Sequence, residues 1–431
     1  MKDALIRYLG RCTQKAIARE KPRIIAIAGS VGKSSTKQAL ALAFAAGEQE
    51  SGVRASAKNY NNELGVPLTV FDMPAPGRSV LGWAKLLTRA TLVCMGLRKI
   101  GASTLILEMG TDHPGDLAHL TRMAPPDAAV LTAISPEHTE FFGSLDGVAN
   151  EERELIKALK PSGNAVLNAD DPEVMKAEEM TQADVVTFGV SEQATVRLVS
   201  ASVAYDPQDV SSSGLDVHVV ALGLAANFRL RGVFGRPQAL AVTAALAMVH
   251  ALDVDFHEAA QRLASFKGMA GRTRIIEGIK RTTLLDDSYN SSPLAAHSAI
   301  RDLVVFPVEE GKKRIAALGD MLELGALAES SHAELGRAVA EAGIDMLVVC
   351  GTLAHVTANA AKVAGMPEDR VFTFAKSPEA GLFIQERLKQ GDVVLIKGSQ
   401  GSRMEKITKE LMADPERAKD LLCRQTEEWL A

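Results

Sequence analysis

The sequence is short of cysteine and of long apolar runs, and each shortage excludes a class of protein. Its 431 residues include four cysteines, Cys12, Cys94, Cys350 and Cys423, and no two of them have the spacing of a metal site or a redox motif. A disulfide framework or a zinc site is therefore not expected, and the compartment is predicted to be reducing. Residues 1–21 lack the continuous apolar core of a secretory signal, so a cytoplasmic location is predicted.

An excess of positive charge is also missing. The net charge is −5 and the sequence pI is about 6.0, which argues against nucleic acid as a partner. The most apolar stretch, residues 80–100, is interrupted by Lys85, Arg89 and Arg98, so no transmembrane segment is predicted. It is predicted to be an amphipathic helix, which packs on its own domain or makes a peripheral membrane contact through its basic and apolar faces.

Short apolar runs alternate with helical patterns, which predicts an α/β fold with a mostly parallel sheet. The first series of predicted strands lies at 24–28, 104–107, 128–133 and 165–167, and the second at 283–285, 314–318, 346–349 and 393–396. Between the two series, short strands at 202–205, 215–221 and 228–233 predict a small antiparallel sheet. The length is enough for two or three domains with hydrophobic cores.

Three segments are predicted along the chain. Residues 1–21 form an N-terminal helix, residues 22–266 a P-loop-type central ATP-binding domain, and residues 267–431 a C-terminal Rossmann-like α/β domain. The boundary is placed in the glycine-containing segment 266–271. The tail, 415–431, is predicted to be one charged helix. The oligomeric state is left open.

A glycine-containing loop between the first strand and the next helix is the strongest chemical signal. It consists of Gly29, Ser30, Val31, Gly32, Lys33, Ser34 and Ser35. Backbone N–H groups on such a turn, with a helix N-terminus behind them, cradle phosphate oxygens. Lys33 would reach the terminal phosphates, and Ser34 or Ser35 would place a hydroxyl on Mg²⁺. Ile27 replaces the first glycine of the common motif, and an ordinary strand-to-helix turn is the alternative.

Two further residues follow strands of the same series. Glu108 ends the second strand and His138 follows the third, so both are expected at the carboxyl edge of the sheet, where ligands bind in open α/β folds. A carboxylate there suits Mg²⁺, which prefers oxygen ligands. The alternatives are a surface charge at a strand end for Glu108 and a structural role for His138.

Polar residues in other segments are candidate ligand contacts. Asn61 and Asn62 either build a turn or hydrogen-bond a polar substrate. Asp287 follows a strand of the second series and would accept from ribose hydroxyls, while Tyr289 would stack or hydrogen-bond. Arg272, at the predicted hinge, is a cation that would reach a phosphate when the domains close.

From about Ile24 to Glu405 the chain resembles the Mur ligases, the ADP-forming amide ligases of peptidoglycan synthesis, and most closely their MurF type. The matching segments, in the order of the family, are 29–36, 61–69, 108–110, His138 with 142–145, 168–171, 271–272, 286–290, 319–325, 397–399 and 403–405. One such segment would be weak evidence, but this many in order is specific.

The resemblance implies a reaction in which ATP phosphorylates a carboxylate and an amine attacks the resulting acyl phosphate. In the MurF type the carboxylate belongs to a muramyl-peptide nucleotide and the amine to D-alanyl-D-alanine. The resemblance implies catalytic roles for Lys33, His138, Arg272 and Glu152; Mg²⁺ ligation by Ser34, Glu108, His138 and Glu152; ATP contacts from residues 29–35, Asn168, Arg272, Asp287, Tyr289 and Asn290; and substrate contacts from Asn61, Asn62, Lys397 and Ser399.

Two departures from the family pattern stand out. About 21 residues precede the first strand, and the family's N-terminal uridine-nucleotide domain is not among them, so the acceptor is held differently or is another molecule. Residues 80–100 are one candidate to hold it. Glu152 occupies the position of a lysine that many members carry carbamylated, and its carboxylate could replace the carbamate oxygen. The alternative is a solvated acid within the charged run 151–154.

Two other functions stay open at this stage. The first is a ligase of the same chemistry outside the cell wall, acting in poly-amino-acid or natural-product synthesis. The second is a non-catalytic nucleotide-binding regulator. Retention of Lys33, Glu108, His138, Arg272 and Asp287 argues against it. The expected partners are small molecules: a carboxylate acceptor and an amino acid or dipeptide amine.

Overall fold

The computed structural model describes residues 2–45, 52–56, 59–136, 139–426 and 429. Fifteen strands are found in these residues: β1 (Arg23–Ala28), β2 (Val53–Ala55), β3 (Thr104–Glu108), β4 (Ala128–Leu131), β5 (Asn164–Asn168), β6 (Asp184–Gly189), β7 (Val196–Ala204), β8 (Gly214–Ala221), β9 (Leu224–Arg231), β10 (Arg274–Gly278), β11 (Thr282–Asp287), β12 (Arg314–Gly319), β13 (Met346–Cys350), β14 (Val371–Phe374) and β15 (Val393–Lys397).

The described helices are α1 (Lys2–Glu20), α2 (Lys33–Ala43), α3 (Gly65–Phe71), α4 (Val80–Cys94), α5 (Asp116–Met123), α6 (Thr139–Phe142), α7 (Leu145–Lys157), α8 (Pro172–Met175), α9 (Arg236–Ala251), α10 (Phe256–Leu263), α11 (Pro293–Val305), α12 (Ala328–Glu341), α13 (Ala354–Val363), α14 (Ser377–Arg387), α15 (Glu405–Leu411) and α16 (Ala418–Leu421). None of them is long and apolar enough to cross a membrane.

The strands form two sheets, as expected for an α/β fold. The larger has nine strands in the order β2-β3-β1-β4-β5-β6-β7-β8-β9, and the smaller has six in the order β10-β11-β15-β12-β13-β14. Pairing in the larger sheet is parallel from β2 to β7 and antiparallel from β7 to β9. In the smaller sheet only β10 runs antiparallel to its neighbour. The predicted fold class is confirmed.

The antiparallel strands continue the large sheet instead of forming one of their own. β7 pairs with β6 over Phe188 and Gly189 and then runs on beside β8. Four strands, β2, β6, β10 and β14, did not emerge from the sequence pattern. β10 illustrates why they were missed, since its apolar residues are limited to two isoleucines between Arg274 and Glu277. The sheets divide between β9 and β10, and the predicted domain limits within that interval stay a prediction.

Both faces of the large sheet are covered by helices. Along β1, Ile24 and Ala26 pack into a core with α1, α3, α4 and α5, while Ile25 and Ile27 pack into a second core with α2, α9 and α10. Successive side chains of a strand point to opposite faces, so a strand buried on both sides is apolar throughout. This explains why the continuous apolar run in β1 could be predicted as a central strand.

The prediction of one charged helix over residues 415–431 is wrong. Within the described part of that tail, α16 spans only Ala418–Leu421, and Leu422, Cys423 and Arg424 then turn into the protein and are buried. Arg424 has a left-handed backbone, with φ 57°, which cannot continue a right-handed helix. Its guanidinium donates to Glu405 at 3.0 Å and to the Ser288 carbonyl at 3.2 Å, contacts that hold the chain in this turn.

The four cysteines are all free thiols. Cys12, Cys350 and Cys423 are buried, and Cys94 is half-buried. Burial raises the pKa of the Cys12 thiol to about 11 and the pKa values of the Cys350 and Cys423 thiols to about 12.

Candidate active site

The glycine-containing loop joins β1 to α2 at the carboxyl edge of the large sheet. Gly29 has φ 124°, and a Cβ there would lie 2.3 Å from Thr132 Oγ1, so only glycine fits. Gly32 is the N-cap of α2 with φ 97°. The Ser30 hydroxyl donates to the Ser135 carbonyl at 3.1 Å and accepts from the Ser135 N–H at 3.0 Å. The loop is thus fixed against the segment after β4, with the first N–H groups of α2 behind it.

Lys33 is the first residue of α2, and its side chain folds back over the loop. Its ammonium donates to the carbonyl of Gly29 and, at 3.3 Å, to the carbonyl of Ser30. The residue is half-buried. The Lys33 ammonium therefore lies over the loop, where phosphate oxygens could accept its hydrogen bonds in place of the two carbonyls.

Glu108, at the end of β3, is buried among hydrogen-bonding groups. One carboxylate oxygen accepts from Ser34 Oγ at 2.9 Å, and the other lies 3.0 Å from the ammonium of Lys37. The amide nitrogen of Asn59, in the orientation that satisfies its hydrogen bonds, lies 2.6 Å and 3.1 Å from the two oxygens. Glu108 and Ser34, both predicted to bind Mg²⁺, therefore lie side by side. The ammonium of Lys37 lies next to them.

Glu152 lies under the loop rather than in solvent. Its side chain is buried, and one carboxylate oxygen accepts from the N–H of Gly29 at 2.7 Å. The alternative that Glu152 is a solvated acid is therefore wrong, because α7 turns this side chain into the protein. The other predicted metal residue, His138, lies outside the described residues. Within the residues that are described, no three His, Cys, Asp or Glu side chains form a metal-binding group.

A cavity of about 460 Å³ opens between the two sheets. It combines residues of the loop and α2, of the segments after β4 and β5, of the start of α9, and of the smaller sheet with α11. Of the predicted site residues, Val31, Gly32, Ser35, Asn168, Arg272, Asp287 and Lys397 line it. The fold thus brings residues more than 350 positions apart in the sequence to one space.

Asp287 and Lys397 form the cavity wall on the side of the smaller sheet. They end the neighbouring strands β11 and β15, and their carboxylate and ammonium are 2.6 Å apart. The other Asp287 oxygen accepts from the Thr273 N–H at 3.2 Å, and the Lys397 ammonium also donates to the Asn290 carbonyl at 3.0 Å. The pair is buried and fixes the loop that follows β11.

Arg272 and Tyr289 lie against each other in that region. The Arg272 guanidinium is 4.4 Å from the centre of the Tyr289 ring, and that of Arg424 is 5.2 Å from the same centre. Such cation–π contacts restrain the ring and the guanidinium. Arg424 also donates to the carbonyl of Tyr289. Residues from the segment before β10, the loop after β11 and the tail therefore support one another.

Several predicted contacts have structural partners instead of facing the cavity. The Asn62 side-chain oxygen accepts from the N–H of Gly65, the first residue of α3, at 2.9 Å, and the backbone carbonyl of Asn61 accepts from the Gly110 N–H at 2.8 Å. Ser399 accepts from the Leu322 N–H at 3.0 Å and donates to the Ser291 carbonyl at 3.1 Å. Their assignment to substrate stays a prediction.

Asn168 joins two segments at the cavity. Its amide donates to the Thr132 carbonyl at 2.7 Å, and its side-chain oxygen accepts from the Asp170 N–H at 3.0 Å. Asp171 accepts from the N–H of Ile134 at 2.7 Å. These bonds hold the segments after β4 and β5 together along the sheet edge that the glycine-containing loop occupies.

Sequence reasoning missed three residues near the site. Lys37 is a buried cation inside α2. Gln238 donates to the Arg272 carbonyl at 3.0 Å and so links α9 to the hinge. Asp302 lines the cavity, and burial raises the pKa of its carboxyl to about 7. For Gln238 a signal did exist, since Gly-Arg-Pro at 235–237 marks a helix start after a strand.

Comparison with known proteins agrees with this arrangement. A family model for the Mur ligase middle domain matches residues 87–249, and one for the Mur ligase glutamate ligase domain matches residues 271–400. The UDP-N-acetylmuramoyl-tripeptide–D-alanyl-D-alanine ligase of Mycobacterium bovis is 30% identical over 408 residues, which cover 91% of this chain and 73% of that protein. The chain belongs to the Mur ligase family.

Two other relatives place it near the MurF type within the Mur ligase family. The ligase of the same name from Bacillus subtilis is 29% identical over 393 residues, covering 91% of this chain and 76% of its own. The crystal structure of MurF from Thermotoga maritima, in complex with ADP, has a TM-score of 0.76 and 26% identity, and covers 94% of this chain and 83% of that one. The predictions of a Mur ligase fold and of a Mur-type ligase are confirmed.

Proposed function

We propose that this chain is an ATP-dependent, ADP-forming amide ligase that activates a carboxylate as an acyl phosphate, in the manner of the MurF type. The acceptor is a muramyl-peptide carboxylate and the amine is D-alanyl-D-alanine or a similar molecule. The named substrates of the Bacillus and Mycobacterium relatives support this choice. The proposal also keeps the predicted cytoplasmic location.

The observation that carries the proposal is the cavity shared by the two sheets. On one side it is lined by Gly32 and Ser35, at the start of α2, and on the other by Arg272 and Lys397. A helix N-terminus binds phosphate through its free N–H groups, and the guanidinium and ammonium add positive charge opposite. A nucleotide between them would be contacted by both halves of the protein.

The chemistry needs positioning and charge neutralisation rather than a covalent enzyme intermediate. Phosphoryl transfer spreads negative charge over the transferred group, and preorganised cations stabilise it. Lys33, over the loop, and Arg272, stacked on Tyr289, are the cations to which we assign this role. The carboxylate oxygen attacks the terminal phosphorus of ATP, ADP leaves, and the amine then displaces phosphate from the acyl carbon. Enclosure between the halves keeps water from the acyl phosphate.

The residues present fit a Mg²⁺ ion only in part. Glu108 and Ser34 supply adjacent oxygen atoms of the kind the ion prefers, and His138 is the third predicted ligand. When bound, the ion would neutralise phosphate charge. The ammonium of Lys37 would remain 3.0 Å from the Glu108 carboxylate as a second positive charge.

We propose that Glu152 acts through the loop. Its hydrogen bond to the Gly29 N–H fixes the turn that presents Lys33, and its carboxylate could stand in for the family's carbamylated lysine. Both roles predict a loss of activity on removal. A Glu152→Ala enzyme with undiminished turnover and Mg²⁺ dependence would exclude them.

Phosphate release with candidate substrate pairs tests the proposed function. With a muramyl-tripeptide nucleotide labelled with ¹⁸O in its terminal carboxylate, plus D-alanyl-D-alanine and ATP, one label should appear in the released phosphate. That transfer follows from cleavage of an acyl phosphate at its acyl carbon. The matched control is Lys33→Ala, which we expect to lower turnover at least about 1000-fold.

The outcomes separate the remaining alternatives. Turnover with other acid and amine pairs, but not with this pair, would assign the enzyme to a pathway other than cell-wall synthesis. Turnover without label in phosphate would exclude the acyl phosphate. Tight ATP binding without turnover of any pair would favour a nucleotide-binding regulator.

A further inference from the structure

Helix α4 exposes apolar side chains on its outer side. Its inner side packs through Leu86, Ala90 and Val93 into the core below the large sheet. On the outer side, Val80 is 81% exposed and Leu81 is 75% exposed. Just beyond the helix, Met95 is 66% exposed and Leu97 is 67% exposed. A soluble surface normally exposes such residues singly, whereas here two occur together at the start of one helix and two in the turn after its end, with Lys85 and Thr88 exposed between them.

The same segment carries only positive charge. From residue 73 to residue 107 there is no aspartate or glutamate, and five lysines or arginines occur. Four of these, Arg78, Lys85, Arg98 and Lys99, are exposed. The fifth, Arg89, is turned inward and donates to the Phe71 carbonyl at 3.2 Å. The acid preceding the segment, Asp72, lies 3.8 Å from Arg54.

Helix α1 extends this surface. Tyr8 and Thr91 are joined by a 2.7 Å hydrogen bond between their hydroxyls, on the exposed side of the two helices. Arg19 donates to the carbonyl of Cys94 at 3.0 Å and so lies at the end of α4. The exposed cations of α1 are Arg7, Arg11, Lys15 and Arg19. Apolar side chains on α4 are therefore flanked by cations on both α4 and α1.

The net charge of the segments that form this surface is opposite in sign to the net charge of the whole chain. Residues 1–23 and 73–107 contain twelve lysines and arginines and two acids, a formal charge of +10. Because the whole chain has a net charge of −5, the remaining residues carry −15. Positive charge is thus concentrated on the part of the molecule that also exposes α4.

We infer that the outer surface of α4, with the adjoining cations of α1, docks on a bilayer that contains anionic lipid. Val80, Leu81, Met95 and Leu97 would enter the headgroup region, while the lysines and arginines contact lipid phosphates. A helix with one apolar side flanked by cations binds in this way. The apolar side chains project outward from a convex helix, which suits a lipid surface better than an acidic polypeptide needing a groove.

The electrostatic part of the binding has a defined size. A lysine or arginine close to an anionic membrane contributes about a five-fold gain in affinity, and salt weakens it because the screening length shortens to about 3 Å at 1 M. Docking here would leave the cavity at the carboxyl edge of the large sheet free, since no residue of α1 or α4 lines it.

The test is flotation of the full chain with vesicles. We expect binding to vesicles of phosphatidylcholine with about 30% phosphatidylglycerol, little binding to phosphatidylcholine alone, and release as sodium chloride rises from about 0.1 M to about 1 M. Val80→Gln combined with Leu81→Gln should weaken binding at least about ten-fold, since two apolar side chains no longer enter the bilayer. Lys85→Gln combined with Arg98→Gln should have a similar effect.

The matched control is Val363→Gln. Val363 is 90% exposed on α13, in the other half of the protein, so its replacement should leave vesicle binding unchanged. Thermal unfolding of every variant should match that of the parent, because only exposed side chains change. Equal binding to neutral and anionic vesicles, or unchanged binding by both double variants, would overturn the inference. Concentration-dependent self-association without lipid, lost in Val80→Gln/Leu81→Gln, would assign the surface to a second copy instead.

Discussion

Each half of the molecule contains a buried acid–lysine pair at the end of its sheet, and the two pairs differ. In the large sheet, Glu108 on β3 pairs with Lys37 of helix α2 at 3.0 Å. In the smaller sheet, Asp287 on β11 pairs with Lys397 on the neighbouring strand β15 at 2.6 Å. Asp287 and Lys397 line the cavity, whereas Glu108 is enclosed with Ser34 beside the loop.

The difference indicates that the two acid–lysine pairs have different roles although their chemical groups are similar. A lysine from an adjacent strand is held by the sheet itself, so the Asp287–Lys397 pair builds a rigid wall for a ligand. Lys37 belongs to α2, the helix that follows the glycine-containing loop. Its ion pair therefore couples the Glu108 carboxylate to that loop. Removing one member of a buried pair leaves the other charge uncompensated, which costs about 3–5 kcal/mol. Chemistry and stability must therefore be separated by removing one partner and then both.

The largest effect is expected for Glu108→Gln. We predict that turnover falls at least about 1000-fold, because the carboxylate beside Ser34 is the proposed Mg²⁺ ligand. The free energy of unfolding should fall by about 3 kcal/mol, because Lys37 stays buried without its anion. Phosphate release and urea unfolding measure the two quantities.

The double variant Glu108→Gln/Lys37→Met is the control for this prediction. It removes both charges at similar volume, so stability should return to within about 1 kcal/mol of the parent while turnover stays low. Recovery of turnover in the double variant would contradict the proposed ligand role. Glu108 would then serve only to neutralise Lys37.

A smaller loss of activity is expected for Asp287→Asn. Stability should again fall by about 3 kcal/mol, because Lys397 is buried. Nucleotide affinity should fall about ten-fold, equivalent to about 1.4 kcal/mol, and kcat should change less than that. Equilibrium binding of a nucleotide analogue and steady-state kinetics distinguish affinity from turnover.

Asp287→Asn/Lys397→Met should regain the stability but not the affinity. If Asp287→Asn instead lowered kcat as strongly as Glu108→Gln, the two pairs would share one task. The distinction between Asp287 as part of the cavity wall and Glu108 as a residue coupled to the loop would then be wrong.

The smallest effect on activity is expected for a third buried acid, whose protonation affects stability. Asp302 is buried beside the cavity, and burial raises the pKa of its carboxyl from 3.8 to about 7. The folded state therefore retains the proton after the unfolded chain has lost it. The free energy of unfolding should fall as pH rises from about 4 to about 7, and this contribution is constant above that range.

Asp302→Asn should remove this dependence. At pH 8 the variant should be more stable than the parent by about 4 kcal/mol, and below about pH 4 the difference should become small. Urea unfolding across this range, without nucleotide, is the measurement. Asp286, whose pKa burial raises to about 6, leaves a weaker slope in both proteins. A variant that loses stability at pH 8 would show that the Asp302 carboxylate is stabilised in the folded state.

The parts of the site that could be predicted depend on short stretches of sequence. Gly29 and Lys33 lie in one short loop, and Glu108 ends an apolar strand, so parallel topology alone places them at one edge of the sheet. Lys37 could not be found, because its burial depends on Glu108, 71 positions later in the chain. A lysine inside a helical pattern otherwise indicates a solvated side.

The errors in the fold also depend on contacts between distant residues. Periodicity in the tail favours a helix, but Arg424 bonds to Glu405 and to the loop after β11, and these bonds end it. The edge strand β2 has only three residues, all half-buried, which gives no apolar run to detect. Burial of Asp302 likewise follows from the packing of α11 against the start of α9.

The burial of the cysteines makes the molecule suitable for site-specific labelling. A thiol reacts as the thiolate, and each unit by which its pKa is raised lowers the thiolate fraction about ten-fold. Cys12, Cys350 and Cys423 should thus react slowly with maleimides at neutral pH, and only the half-buried Cys94 needs replacement by serine. A fluorophore on an introduced cysteine at an exposed position in each half, such as Val363 and Glu192, would then report the distance between the halves while ATP is consumed.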